Sequence, residues 1–173
     1  MFDSGFAFAY LGKSKISNKG HLYRHNYKFR THKNRKYIVW VDEHELNTFI
    51  IKFFLQKDEK SKNKFNILIG DNTAPKIINT SIDIMLGILT TNPTANFAFI
   101  GAETPEEEQN KISLTKRFRI YEVLMKSKFS LQAFKHITVR EKSAYLMFNQ
   151  KNQITLVNDV ITMLVNNYPD LEE

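Results

Sequence analysis

A chain of 173 residues with 42% apolar and 13% aromatic side chains is long enough to bury a core of its own, so one globular domain is expected and a disordered tail is excluded. The absence of cysteine rules out disulfides, thiolate metal sites, iron–sulfur clusters and thiol nucleophiles, and it suggests a cytosolic compartment. The net charge of +7 is local: nine Lys and Arg residues lie between Lys13 and Lys36, no acid occurs from Ser4 to Val41, and the rest of the chain is acidic on balance. Basicity concentrated in this way is the electrostatic footprint expected of a protein with an anionic partner.

In chain order, Phe2 to Leu11 is apolar and aromatic and reads as an added strand or arm. Its early acid, Asp3, and its lysines placed after the apolar residues are the reverse of a secretory signal, so no export signal is expected. No window reaches 18 consecutive apolar residues, and no membrane span is expected. Lys13 to Gly20 reads as a solvated loop, which makes residues 1–20 an arm and residues 21–173 the core of a single domain.

From Leu22 the pattern alternates, with Tyr23, Tyr27 and Phe29 separated by Arg24, Lys28 and Arg30, the period of a half-buried strand. Thr31 to Asn34 predicts a hairpin turn and KYIVWV (Lys36 to Val41) the returning strand. Asp42-Glu43-His44-Glu45 interrupts that run, and Thr48 to Leu55 forms a third strand of an antiparallel meander. Lys57 to Lys64 is an exposed charged turn.

Phe65 to Glu103 then reads as a strand–helix–strand unit at the middle of a mixed or parallel sheet. Its helix has Asn72 or Thr73 as N-cap and Pro75 in the first turn, with Ile78, Ile82, Met85 and Leu89 on one face. Asn96 to Gly101 is a buried-type strand. Glu103 to Asn110 reads as an acidic loop and helix start, favoured by the helix dipole. Leu114, Phe118, Tyr121 and Met125 share one face of the helix that follows, and Lys116, Arg117, Arg119 and Lys126 the other. His136 to Val139 and Ser143 to Asn149 are closing strands, and Ile154 to Asn167 is a last amphipathic helix. The expected fold is α+β: a mixed, mainly antiparallel sheet with an N-terminal meander, a central β-α-β unit, a closing strand pair and about three helices.

Arg24, Lys28, Arg30, Lys33, Arg35 and Lys36 stand among Tyr23, Tyr27, Phe29, Tyr37 and Trp40, the mixture of cations and ring faces that unpaired nucleic acid requires. Equally, the rings are the core side of two strands and the cations their solvated side. Lys116, Arg117 and Arg119 either extend this basic surface or form a solvated helix face. No metal site is expected: His21 and His25 are four apart, a spacing that converges on a helix and not on a strand, and His44 is flanked by Glu43 and Glu45. Asp42, Glu43 and Glu45 at a strand end are candidate general bases or solvated acids. The turn Gly70-Asp71-Asn72-Thr73-Ala74-Pro75 leads into a helix N-terminus, where backbone N–H groups can hold phosphate, with Gly70, Asn72 and Thr73 as the candidate ligand-binding residues.

The order of meander, β-α-β, helix with Arg119-Ile120-Tyr121-Glu122 and closing strands resembles the GCN5-related N-acetyltransferase family. The resemblance implies acetyl-coenzyme A as cofactor, bound at the turn around Gly70, and Tyr121 as the acid that protonates the departing thiolate. The family's Gln/Arg-x-x-Gly-x-Gly/Ala motif is missing from Asp71 to Ile78, and Phe129 lies further from Tyr121 than the family spacing. Tyr37 to Val41, Asn96 to Ala102 and Thr115 to Tyr121 are also similar to an uncharacterised family of small bacterial proteins, which implies no particular activity.

The function expected first is binding of an anionic partner, RNA above duplex DNA, with no cofactor required, as in a component of a toxin–antitoxin pair or of phage defence. The alternatives are an acyl-coenzyme A-dependent N-acyltransferase, active or decayed, and a protein-interaction module or homo-oligomer docking through the arm Phe2 to Leu11.

Overall fold

A computed structural model describes residues 4–16, 20–65, 72–100, 115–139 and 144–168. Its strands are β1 (Phe8–Lys15), β2 (His21–Arg30), β3 (Lys36–His44), β4 (Thr48–Leu55), β5 (Asn96–Ile100), β6 (Phe134–Val139) and β7 (Ala144–Asn149). Its helices, among the described residues, are α1 (Ala74–Thr91), α2 (Lys116–Lys128) and α3 (Val157–Asn167), with a 3₁₀ turn at Gln56–Asp58. The strands form one open sheet in the order β1-β2-β3-β4-β5-β7-β6. All neighbours are antiparallel except β4 and β5, so the chain has the expected α+β class with a mixed, mainly antiparallel sheet.

β4 is apolar almost throughout because both its faces are covered. On the first face Phe49, Ile51 and Phe53 pack under Ile78, Ile82 and Met85 of α1 and Phe118, Tyr121 and Met125 of α2. Full burial of side chains of this size contributes about 1.5–3 kcal/mol each. On the second face α3 sets Val160, Met163 and Leu164 against Ile50, Ala98, Leu146 and Phe148. That cover reaches β2 and β3 only at their His21–His44 end, through Asn167 and Tyr168, and among the described residues no α-helical residue lines the groove beside Lys28, Arg30 and Lys36.

Two expectations change. Lys13 to Lys15 belong to β1 and not to a loop, because Gly12, with φ at +108°, makes a bulge after Tyr10 and lets pairing with β2 continue. Asp42, Glu43 and His44 continue β3 instead of ending it, since Asp42 is paired with cations on neighbouring strands. The arm before β1 lies on its own domain: Gly5 N–H donates to Asp83 Oδ2 (2.9 Å), Phe6 N–H donates to Thr80 Oγ1 (2.8 Å), and the Phe6 ring stacks on Phe29. The strand expected at the FNILIG run and the loop Glu103 to Asn110 fall outside the described residues, apart from Phe65. The parallel crossover among the described residues is β4–α1–β5.

Helix starts follow local chemistry. Thr73 is the N-cap residue of α1, with Pro in the first turn, where a missing N–H costs nothing. The Thr115 side chain caps α2 by accepting from Phe118 N–H at 3.1 Å. Before α3, Asn152 Oδ1 accepts from the N–H groups of Ile154 and Thr155, so those residues form a turn and the helix begins at Val157 instead of Ile154.

β4 and β5 pair only through Thr48–Asn96, Phe49–Phe97 and Ile50–Ala98, then part, although β4 runs on to Leu55 and β5 to Ile100. Their paired ends are tied by asparagines. Asn47 and Asn92 exchange side-chain hydrogen bonds (3.1 and 2.6 Å), and Asn96 Oδ1 accepts from Asn149 N–H (2.8 Å). Beyond the last pair, the Tyr121 ring meets Phe99 of β5 at 4.9 Å and Phe53 of β4 at 6.5 Å between centroids.

Candidate anion-binding face and polar cluster

Strand alternation sorts the basic hairpin by face. Tyr27 and Phe29 point to the first face, where Phe29 stacks on Tyr37 at 5.1 Å and Tyr27 packs on Phe8 and Tyr10. Arg24, Lys28 and Arg30 point to the second face, beside Lys36, Trp40 and Asp42 of β3. Lys28, Arg30 and Lys36 are exposed and line one groove of about 470 Å³ with Ala7, Phe8, Ala9, Phe29 and Gln56. Among the described residues none of these three cations has a carboxylate partner, and Arg30 hydrogen-bonds only to the Asn34 side chain.

The other candidate cations are placed differently. Arg24 lies 3.7 Å over the Trp40 ring and is bound to Asp42. Lys33 is exposed at the hairpin turn, and Arg35 is half-buried with its N–H donating to Thr31 Oγ1 (3.2 Å). Lys116 and Arg119 are exposed on α2, which covers the first face, so they do not extend the groove; the Arg117 side chain lies outside the described residues. Trp40 is the one ring of the hairpin set on the second face, and Arg24 and Lys64 (4.2 Å) occupy it.

Tyr121, the candidate acid, is 2% exposed in the aromatic wedge between β4 and β5. Of the candidate cofactor residues, Gly70 is outside the described residues, Asn72 is exposed with φ at +60°, and Thr73 precedes α1 without a side-chain cap bond.

A cluster that sequence spacing does not reveal lies at the far end of β2. Asp42, fully buried, accepts from Arg24 Nε (2.6 Å) and Nη2 (3.0 Å) and from Lys52 Nζ (2.9 Å). Burial works to raise its carboxyl, but the bonds and charges of Arg24 and Lys52 prevail and hold it below the usual carboxylate range. Beside it the rings of His21 and His44 lie 3.9 Å apart, with Tyr168 Oη 3.2 and 3.1 Å from their Nε2 atoms. Burial, reinforced by the neighbouring His21, lowers His44 to about 4; burial also lowers His21 and Lys52 and raises the Tyr168 hydroxyl. Counting back from the hairpin turn sets Arg24 opposite Asp42, so that pair was open to discovery. The bulge at Leu22 hides the facing of His21 and His44, and nothing local points to Tyr168.

No family model matches the chain, and neither a curated protein nor a solved structure does.

Proposed function

We propose that the protein binds the phosphate backbone of RNA in the groove lined by Lys28, Arg30 and Lys36. The observation that carries this is the convergence of Lys28, Arg30 and Lys36 on one groove, with no carboxylate among the described residues paired to them. Because Tyr27, Phe29 and Tyr37 turn to the opposite face and Trp40 is already covered by cations, base stacking contributes little, and binding is tolerant of sequence. The test is binding to single-stranded RNAs of unrelated sequence over a range of salt. A log–log decline of affinity with salt is expected, with similar constants across sequences. An absent or salt-insensitive interaction ends the proposal.

The parting of β4 and β5 supports a second proposal, an acyltransferase-type cofactor crevice. Asn92 at the C-terminal end of α1 bonds to Asn47 ahead of β4, so the N-terminus of α1 lies at the end where the strands diverge. Crevices at the carboxyl ends of strands are where open sheets with parallel units take ligands. Tyr121 in the wedge then stands for the acid. Calorimetry with acetyl-coenzyme A decides: neither heat nor a thermal shift would dispose of it.

A further inference from the structure

The imidazoles of His21 and His44 aim at a single oxygen. Their Nε2 atoms lie 3.2 and 3.1 Å from Tyr168 Oη, and His21 Nε2 is 3.7 Å from Asp42 Oδ2. The potential ligand atoms of His21, Asp42 and His44 all fall within 4.8 Å of one another. The open end of the β2–β3 hairpin and the residue following the last helix thus bring four potential ligand atoms together.

Hydrogen bonding alone leaves this arrangement incompletely satisfied. A phenol has one hydrogen, so Tyr168 can donate to one imidazole and must accept from the other. Whichever tautomers result, the buried Nδ1 of His21 has no hydrogen-bond partner, while the His44 imidazole also interacts with the Gly20 backbone, and a buried polar atom left as His21 Nδ1 is left is rare enough to require a cause. The contacts to Tyr168, 3.2 and 3.1 Å, lie at the long end of the roughly 2.7–3.2 Å range usual for a nitrogen–oxygen hydrogen bond. A tetrahedral ion with bonds of about 2.0–2.1 Å keeps its ligands about 3.4 Å apart. The separations of 3.1, 3.2 and 3.7 Å bracket that value.

We infer that His21, His44, Tyr168 and Asp42 form a binding site for one divalent transition-metal ion. Two imidazole nitrogens with a phenol and a carboxylate oxygen favour zinc over magnesium or calcium. Arg24 Nε stays on Asp42 Oδ1 at 2.6 Å and orients the carboxylate, the outer partner that metal ligands commonly have. Lys52 Nζ, 2.9 Å from Oδ2, competes with the ion for that oxygen, which places the affinity below that of a site with an uncommitted carboxylate. The site lies at the opposite end of β2 from the Lys28–Arg30 groove and does not depend on RNA binding.

The test is titration of the chelator-treated full chain with Zn²⁺ and Co²⁺. One ion per chain is expected, with a rise in Tm on adding Zn²⁺ and the intense visible absorption of tetrahedral Co²⁺. His21→Ala and His44→Ala should each weaken binding by more than about tenfold. His25→Ala, which alters a separate pair with Glu43, should leave it unchanged, and Lys52→Met should tighten it. Sub-stoichiometric binding or a weak, octahedral Co²⁺ spectrum in the wild-type chain, neither of which depends on a variant folding, overturns the inference. Full binding in both histidine variants overturns it too, and an unchanged affinity in Lys52→Met removes Asp42 from the ligand set.

Discussion

The Arg24 guanidinium holds the fully buried Asp42 carboxylate by two hydrogen bonds, Nε to Oδ1 at 2.6 Å and Nη2 to Oδ2 at 3.0 Å, across the β2–β3 ladder. Removing one partner of a buried pair leaves the other charge uncompensated, at a cost of about 3–5 kcal/mol. Lys52 remains on Oδ2 when Arg24 is lost, so Arg24→Met should fall near the lower end, about 3 kcal/mol. The double variant Arg24→Met/Asp42→Leu should recover part of that loss, because no charge is then stranded. Urea unfolding checks both; a double variant no more stable than Arg24→Met would show that the stranded carboxylate is not the cause.

The same pairing separates Arg24 from its neighbours in ligand binding. Each phosphate contact adds about 0.7 to the salt slope for single strands. Lys28→Ala, Arg30→Ala and Lys36→Ala should therefore each flatten the slope by about that amount, and the triple variant by about 2. Lys116→Ala and Arg119→Ala, on the other face, should leave it unchanged. Filter binding at several salt concentrations reads the difference. Equal losses from the α2 and groove variants would point to diffuse charge in place of a groove.

Gly5 is held where only a glycine fits. A Cβ there would come within 2.4 Å of Thr80 Cα, a backbone atom of α1 that cannot swing aside. Gly5→Ala should displace the arm, breaking the bonds to Asp83 and Thr80 and withdrawing Phe6 from Phe29, with a cost of about 1–3 kcal/mol. Limited proteolysis should cleave the variant ahead of β1 faster than the wild type. Equal cleavage rates would mean that the arm is not held by this contact.

Much of the sheet is legible in the chain because half-buried strands alternate and doubly covered ones do not. Tyr23 to Arg30 shows the first pattern and TFIIKFFL the second. Alternation even separates Tyr27 and Phe29 from Lys28 and Arg30, but which of those faces a helix covers is a tertiary fact. Asp42 reads as a break because an acid in a strand is costly; its neutralisers, Arg24 and Lys52, lie on adjacent strands, 18 and 10 residues away. Glycine 12 conceals the length of β1 in the same way, since a bulge is a backbone event with no hydrophobic signature. The His21–His44–Tyr168 cluster is the least legible, because only the bulge at Leu22 brings His21 opposite His44, and Tyr168 is 124 residues from His44.

On β6, His136 places Nε2 2.9 Å from the Phe129 carbonyl, so that nitrogen carries the hydrogen and donates it, while Nδ1 accepts from the Tyr145 hydroxyl. This arrangement needs the neutral imidazole. Burial holds His136 below its ordinary value of 6.5; the Phe129 carbonyl opposes that effect and the charge of Lys126 adds to it. The unfolded chain takes up the proton at the ordinary value and the folded chain resists it, so the stabilisation is complete above about pH 6.5 and is lost as pH falls toward the lowered value. His21 and His44 titrate in the same sense, and comparison with His136→Gln isolates the contribution of His136. In chelator-treated protein, the wild type should lose stability faster than the variant from about pH 7 to about pH 5, so that the gap in unfolding free energy between them narrows. A gap that stays constant over that interval would mean that the His136–Tyr145 bond survives protonation, and with it that Nδ1 is not the accepting atom.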